Sequence, residues 1–150
     1  MKEQITVDEQ FDSLLLDKQL CFPLYAAARR VVSLYTPFFK ELGITYTQHL
    51  VFLVLWEEGC VSVGRLCERL YLDSGTLTPL IKKMEKGGYV RRQRSAEDER
   101  IVMIELTDEG RTMRQKVRDI PGKVGACVPL SETDALQLYC LLYKLLNGME

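Results

Sequence analysis

Leu77, Leu80, Ile81 and Met84 recur at i, i+3, i+4 and i+7, one apolar stripe of a helix. Thr76, Thr78, Lys82, Lys83 and Lys86 fall on its other faces, and Gly87-Gly88 ends it. Tyr89 and Val90 then open a strand, Ser95 to Glu99 read as a polar turn, and Ile101 to Leu106 alternate as a return strand. Upstream, QHLVFLVLWEE is almost continuously apolar, which predicts a buried helix ended by Gly59 at the centre of the core. Ser62 is placed to cap a helix over VGRLCERL with Val63, Leu66, Cys67 and Leu70 on one face, although Val61 to Val63 also suits a very short strand. A turn at Leu72-Asp73-Ser74 joins this helix to the basic one.

The flanks read as helices too. Residues Phe11 to Leu42 are helical in pattern, and Pro23 is least strained in the first turn of a helix running from Cys21 or Phe22 to Tyr35. Thr36-Pro37 repeats that signal as a cap and first position of a short helix to Leu42. After the return strand, Thr107-Asp108-Glu109 starts a helix expected to reach Ile120, followed by a loose stretch to Val128 beyond Pro121-Gly122. Ser131, with Asp134 three residues on, caps a last helix over ALQLYCLLYKLL, whose apolar residues cover more than one face. The expected fold is mainly α with a small β-hairpin, a winged helix-turn-helix unit dimerised through its N- and C-terminal helices. It is one domain over 1-150, with a winged lobe at 45-106 and dimerisation helices at 7-44 and 107-150.

Composition narrows the class. At 150 residues and 47% hydrophobic content the chain supports one core, with no low-complexity segment. The run Leu50 to Trp56 is too short to span a bilayer and the N-terminus lacks a signal-peptide core, so a cytoplasmic protein with no membrane partner is expected. Five cysteines without a C-x-x-C pair argue against a secreted disulfide framework, and a single histidine, His49, argues against a histidine-rich zinc site. No metal or other cofactor is expected. Cys60, Cys67 and Cys140 are expected to be structural, and His49 a packing or surface residue.

Charge gives the helix and hairpin their meaning. The formal net charge is only -1, yet between Lys82 and Arg94 six cations stand against one anion, a local sum of +5. A short basic helix feeding a basic ribbon can place one element in a major groove and the other along the adjacent backbone, so double-stranded DNA is the expected partner.

Three segments carry a family resemblance: LLLDKQLCFPLY around Cys21, LYLDSGTLTPLIKKME, and RSAEDER at the hairpin. In this order and separation they resemble the MarR family of winged-helix repressors, and within it the OhrR type that senses organic hydroperoxides. The resemblance implies a homodimer on operator DNA, with Ser74, Thr76, Thr78 and Pro79 at the groove-facing start of the recognition helix and Lys82 and Lys83 toward phosphates. It implies that Asp98 holds Arg100 by an ion pair so that Arg100, with Arg94, reaches the minor groove. It starts the recognition helix near Ser74, whereas capping signals alone start it at Thr78 with Pro79 in the first position.

The resemblance also makes Cys21 the thiol that meets the peroxide, with Tyr35 and Tyr46 as two phenols near it, contributed across the dimer. A thiolate is the nucleophile, and a helix N-terminus with hydroxyl donors lowers a thiol pKa from about 8.5. The sulfenic acid formed must be captured. Cys127 is placed as a resolving partner from the other chain, and capping by a low-molecular-weight thiol is the alternative. Two further readings stay open: a MarR-type repressor controlled by a non-covalent aromatic ligand, and a thiol peroxidase. The chain is expected not to be an enzyme, since no second active-site signature accompanies Cys21.

Overall fold

The computed structural model describes residues 14–149; the expected helical start at Phe11 and the first residues of the 7-44 segment lie outside them. After a 3-10 turn at Leu16–Lys18, the elements are α1 (Cys21–Ser33), α2 (Thr36–Leu42), α3 (Tyr46–Glu58), β1 (Val61–Ser62), α4 (Val63–Leu70) and α5 (Ser74–Lys86). The hairpin β2 (Val90–Arg94) and β3 (Val102–Leu106) follows, then α6 (Asp108–Val117), α7 (Ile120–Gly125) and α8 (Glu132–Asn147). The sheet has the order β1-β3-β2, all antiparallel, with Val61 and Arg92 both facing Ile104. No helix among the described residues is long and apolar enough to cross a membrane.

α3 is the centre of the core, as its unbroken apolar character requires. Val51, Phe52, Val54 and Leu55 are buried together with Leu66 of α4, Leu77, Ile81 and Met84 of α5, Ile104 of β3 and Met113 and Val117 of α6. Thr45 and Gln48 close a reciprocal capping box at its start: the Gln48 N–H donates to the Thr45 hydroxyl at 3.2 Å and the Thr45 N–H to Gln48 Oε1 at 3.0 Å. Gly59 ends it with φ 79°, a left-handed conformation that glycine alone adopts without strain. Arg65 and Arg69 of α4 pair with Glu57 and Glu58 of α3, which fixes the first helix of the helix-turn-helix against the core helix. Ser62 is at once the end of β1 and the cap of α4, so both expectations for that position hold.

Several boundaries differ from expectation. The recognition helix α5 starts at Ser74, as the family resemblance implies, and not at Thr78, as capping signals alone suggest, because Asp73 is extended and its carboxylate accepts the Thr76 N–H at 2.7 Å. Pro79 therefore lies inside the helix and cannot donate to the Gly75 carbonyl, but Gly75 is exposed and water can take that group. α1 ends at Ser33, and Thr36 does not cap α2: Leu34 and Tyr35 stay in the right-handed helical region, their N–H groups held by Val31 and Val32, so no extended residue is available to act as a side-chain cap. α6 stops at Val117 instead of Ile120, since Pro121 has no N–H for the Val117 carbonyl and the chain restarts as α7. The thiols differ too. Cys60 and Cys140 are exposed and only Cys67 packs against the core, so burial explains one of the three expected structural cysteines.

α1 and α8 are amphipathic, yet none of their residues is buried within this chain, and only Ala26, Val32, Leu142 and Leu146 are half-covered. Leu136, Leu138, Tyr139, Leu141, Tyr143 and Leu145 of α8 are all exposed, as are Phe22, Leu24, Tyr25 and Val31 of α1.

Candidate nucleic-acid interface and thiol sensor

Burial of Leu77, Ile81 and Met84 turns the opposite face of α5 outward. Ser74, Thr76, Pro79, Lys82 and Lys83 are exposed on it, and Thr78 is half-buried. The first turn is held by Asp73, which accepts both the Thr76 N–H and the Thr76 hydroxyl, the latter at 3.2 Å. These bonds hold the Asp73 carboxyl below the usual carboxylate range. The Thr76 hydroxyl is thus a donor to the cap as well as part of the outward face.

The wing is braced at three points. Arg92 Nε donates to Glu85 Oε2 at 2.7 Å, tying β2 to the end of α5 and holding the Glu85 carboxyl low. Glu85 is the one anion of the basic segment, and its pairing with Arg92 leaves Lys82, Lys83 and Lys86 as the outward positive charge of the helix. Arg94 Nη1 donates to the Glu99 carbonyl at 2.7 Å and closes the loop between the strands. At the tip, the Asp98 carboxylate accepts the backbone N–H, Nε and Nη2 of Arg100, each at 3.0 Å, and the bonds from Arg100 hold its pKa down. The Arg100 side chain is nonetheless 90% exposed, a cation fixed in direction and turned to solvent. That geometry suits Arg100 as the projecting arginine, while Arg94 spends one donor on the loop itself.

The two phenols come together at the other side of α3. Tyr35 and Tyr46 have ring centroids 5.0 Å apart, are half-buried, and are pushed to higher pKa by that burial, so both stay neutral donors. Phe39 lies 5.2 Å from Tyr35, and His49 sits 4.8 Å from Phe39. Cys21 is exposed at the first residue of α1, and Cys127 is exposed beyond α7, its thiol 3.5 Å from the Lys123 carbonyl. Neither thiol belongs to the core, whereas the two tyrosines pack against it.

Sequence reasoning missed several participants. Asp73 was legible as an acid preceding Ser-Gly-Thr, a capping signal obscured by Pro79. His49, only 3% exposed, lies beside the phenols, and Trp56 lies beside His49, neither with a motif of its own. The Glu85 to Arg92 pair joins residues seven apart across a glycine turn, which periodicity does not reveal.

A half-buried two-helix unit with a basic outer face, followed by a hairpin that fixes an exposed arginine, defines a winged-helix DNA-binding protein. Residues 33–117 match the family described as transcriptional regulator SarA/Rot. The chain is 46% identical over 143 residues to the organic hydroperoxide resistance transcriptional regulator of Bacillus subtilis, covering 95% of this chain and 97% of that one. Among solved structures it is similar to reduced AbfR bound to DNA, a Staphylococcus epidermidis protein, with TM-score 0.75 and 36% identity over 90% of this chain and 94% of that one. It is also similar to disulfide-formed AbfR, with TM-score 0.65 and 35% identity over 89% of this chain and 91% of that one. The chain belongs to the MarR and SarA group of winged-helix transcriptional regulators. It is a DNA-binding regulator and not an enzyme, as its relatives are.

Proposed function

We propose that the protein is a homodimeric repressor that holds operator DNA while Cys21 is reduced and releases it when an organic hydroperoxide oxidises that thiol. The observation that carries this reading is Cys21 itself: an exposed thiol at the first residue of α1, flanked by exposed Phe22, Leu24 and Tyr25. An apolar surround suits an alkyl hydroperoxide better than a hydrophilic one. The similarity to a hydroperoxide resistance regulator and to a relative seen in reduced and disulfide forms supports it.

In the sensing step the Cys21 thiolate attacks the peroxide oxygen that bears the proton. An S–O bond forms, the O–O bond breaks, and the departing alkoxide takes a proton to leave as an alcohol. Sulfur loses two electrons and the peroxide gains them, leaving a sulfenic acid. Tyr35 and Tyr46, neutral and adjacent, are suited to donate hydrogen bonds to the sulfur of the partner protomer. Cys127 of one chain would then resolve Cys21 of the other, or a low-molecular-weight thiol would cap it.

The exposed apolar faces of α1 and α8 support a dimer in which segments 7-44 and 107-150 pack against a second copy and the 45-106 lobes read DNA. Two recognition helices must then stand roughly 34 to 36 Å apart to enter successive major grooves, with Ser74, Thr76, Thr78 and Pro79 toward base edges, Lys82 and Lys83 toward phosphates, and Arg100 and Arg94 at the minor groove. Oxidation at the dimer seam acts on that separation.

The test is operator binding by fluorescence polarisation with and without cumene hydroperoxide. Cys21→Ser is expected to bind as the unmodified protein does and to stay bound at a peroxide dose that releases the latter; release of the variant at that dose would refute the proposal. Intact mass under non-reducing conditions separates an inter-chain disulfide, which doubles the mass, from an added small thiol.

One observation favours a second reading, control by a non-covalent ligand. A cavity of about 420 Å3 between α3 and α6-α7 is lined by His49, Leu53, Trp56, Val117 and Pro121 together with Arg114 and Arg118. Release of DNA from Cys21→Ser by an aromatic acid, with peroxide inert on the unmodified protein, would favour this reading instead.

A further inference from the structure

α3 connects the two ends of this regulator through an unbroken series of ring contacts. At its N-terminal end Tyr46 meets Tyr35, the phenol pair assigned to the sensor, and His49 lies 6.2 Å from Tyr46 and 6.1 Å from Tyr35. His49 in turn presents to Trp56 at 6.3 Å in an edge arrangement, and Trp56 stacks on Phe52 at 5.2 Å with an interplanar angle of 13°. Tyr46, His49 and Trp56 follow the helical spacing that puts residues three, seven and ten apart on one face. The series continues off the helix, because Phe52 meets the Tyr89 ring at 5.5 Å.

Its far end is a rigid joint. Trp56 Nε1 donates to the Gly110 carbonyl at 3.0 Å, the one side-chain bond from α3 to α6 among those of the described residues. Gly110 lies so close to the start of the wing that a Cβ there would stand 2.2 Å from the Tyr89 carbonyl oxygen. Tyr89 is itself held on both sides: its N–H donates to Met84, its carbonyl accepts from Thr107, and the Thr107 hydroxyl donates to Gly88. A displacement of Trp56 therefore has no slack to dissipate in before it reaches the turn where the recognition helix hands over to the wing.

His49 is the buried imidazole of this series. It is 3% exposed, and among the described residues its Nδ1 has no hydrogen-bond partner, an arrangement that stability alone disfavours. We propose that His49 and Trp56 are positioning residues that transmit the oxidation state of the sensor to the wing joint, setting how far oxidation weakens DNA binding and not whether Cys21 is oxidised. The inference rests on the peroxide-sensing function proposed above.

The test uses the full chain with His49→Phe and Trp56→Phe. Sulfenic acid at Cys21 is followed by dimedone labelling and intact mass, and operator affinity is measured for the reduced and oxidised forms of each protein. The expected result is unchanged labelling of Cys21, reduced-form affinity within about threefold of the unmodified protein, and a ratio of reduced to oxidised affinity at least tenfold smaller, equivalent to about 1.4 kcal/mol of coupling. A purely structural role would lower thermal stability and leave that ratio intact, and an intact ratio in both variants overturns the proposal. If His49→Phe does not fold, Trp56→Phe decides the matter, because phenylalanine keeps the stacking on Phe52 and removes only the indole bond to Gly110. Peroxide that releases DNA from the unmodified protein without labelling Cys21, or that does not release it at all, refutes the sensor reading and this inference with it. Loss of the ratio's dependence on these residues alone refutes only the inference.

Discussion

Replacing Gly110 by alanine puts a methyl group where α6, β2 and α3 meet, and the structure sets its consequence. The new carbon would lie 2.2 Å from the Tyr89 carbonyl oxygen and 2.9 Å from a Leu106 methyl. A relaxed carbon-to-oxygen contact is roughly 3.3 Å or longer, so backbone must move by about 1 Å. Neither side gives easily: Tyr89 is bonded to Met84 and Thr107, and Leu106 is buried opposite Val90. Overpacking of this kind destabilises by about 1–3 kcal/mol. Displacing Gly110 also strains the bond from Trp56, a further loss of about 1 kcal/mol. Against these stands the helix preference of alanine over glycine, about 1 kcal/mol. The net is a destabilisation of about 1–3 kcal/mol. Gly122 is the internal control, since it is helical in α7 and a Cβ there meets nothing within 4 Å. Gly122→Ala should gain up to about 1 kcal/mol by the same preference. Urea unfolding at one fixed protomer concentration measures both, the concentration being held because self-association shifts apparent stability. If Gly110→Ala unfolds at or above the urea midpoint of the unmodified chain, the close packing at this joint is refuted.

Three further outcomes are expected. Thr45→Ala removes one half of the capping box on α3 and should lower stability by about 1 kcal/mol in the same urea assay. Asp98→Asn weakens the clamp on an exposed Arg100, so operator affinity should fall by about threefold to tenfold in polarisation measurements while the thermal midpoint stays put. Burial lowers the pKa of His49 below 6.5, so the unfolded chain binds a proton that the folded chain refuses. That contribution to stability is full above pH 6.5 and is lost as pH falls from 6.5 toward the folded-state value. The urea midpoint should therefore drop between pH 7.5 and 5.5, and by less in His49→Phe. The depressed carboxyls Asp73, Asp98 and Glu85 act in a lower window, since their contributions are full above ordinary values of 3.8 to 4.5 and are lost only as pH falls below them.

Most of the winged unit was legible because its signals are local. The stripe Leu77, Leu80, Ile81, Met84 reports helix packing over two turns, and Ser62, Thr107 and Ser131 cap helices within three residues of themselves. Where two local signals conflicted, neighbouring residues could not arbitrate. Pro79 argued for a start at Thr78, and Asp73 prevailed because its carboxylate satisfies the first-turn N–H groups from outside the helix. Thr36 failed as a cap for the opposite reason, its preceding turn leaving no extended residue.

What the amino-acid order determined by itself is therefore the set of elements, their sequence, and the chemistry each carries: a thiol near one helix start, a basic helix, and an acid two residues from an arginine in a short loop. These depend on spacings of a few residues, which backbone geometry turns into faces and caps without help from the rest of the chain. Tertiary structure alone decided which of those residues meet. It joined Tyr35 to Tyr46, buried His49 beside them, and brought Trp56 to Gly110 across 54 positions. Such contacts require two segments to be packed on one core, and the free energy that holds them comes from apolar area buried along α3 as a whole. No window of sequence contains that quantity, and through it the phenol pair and the Trp56 bond to Gly110 come to lie toward opposite ends of one helix.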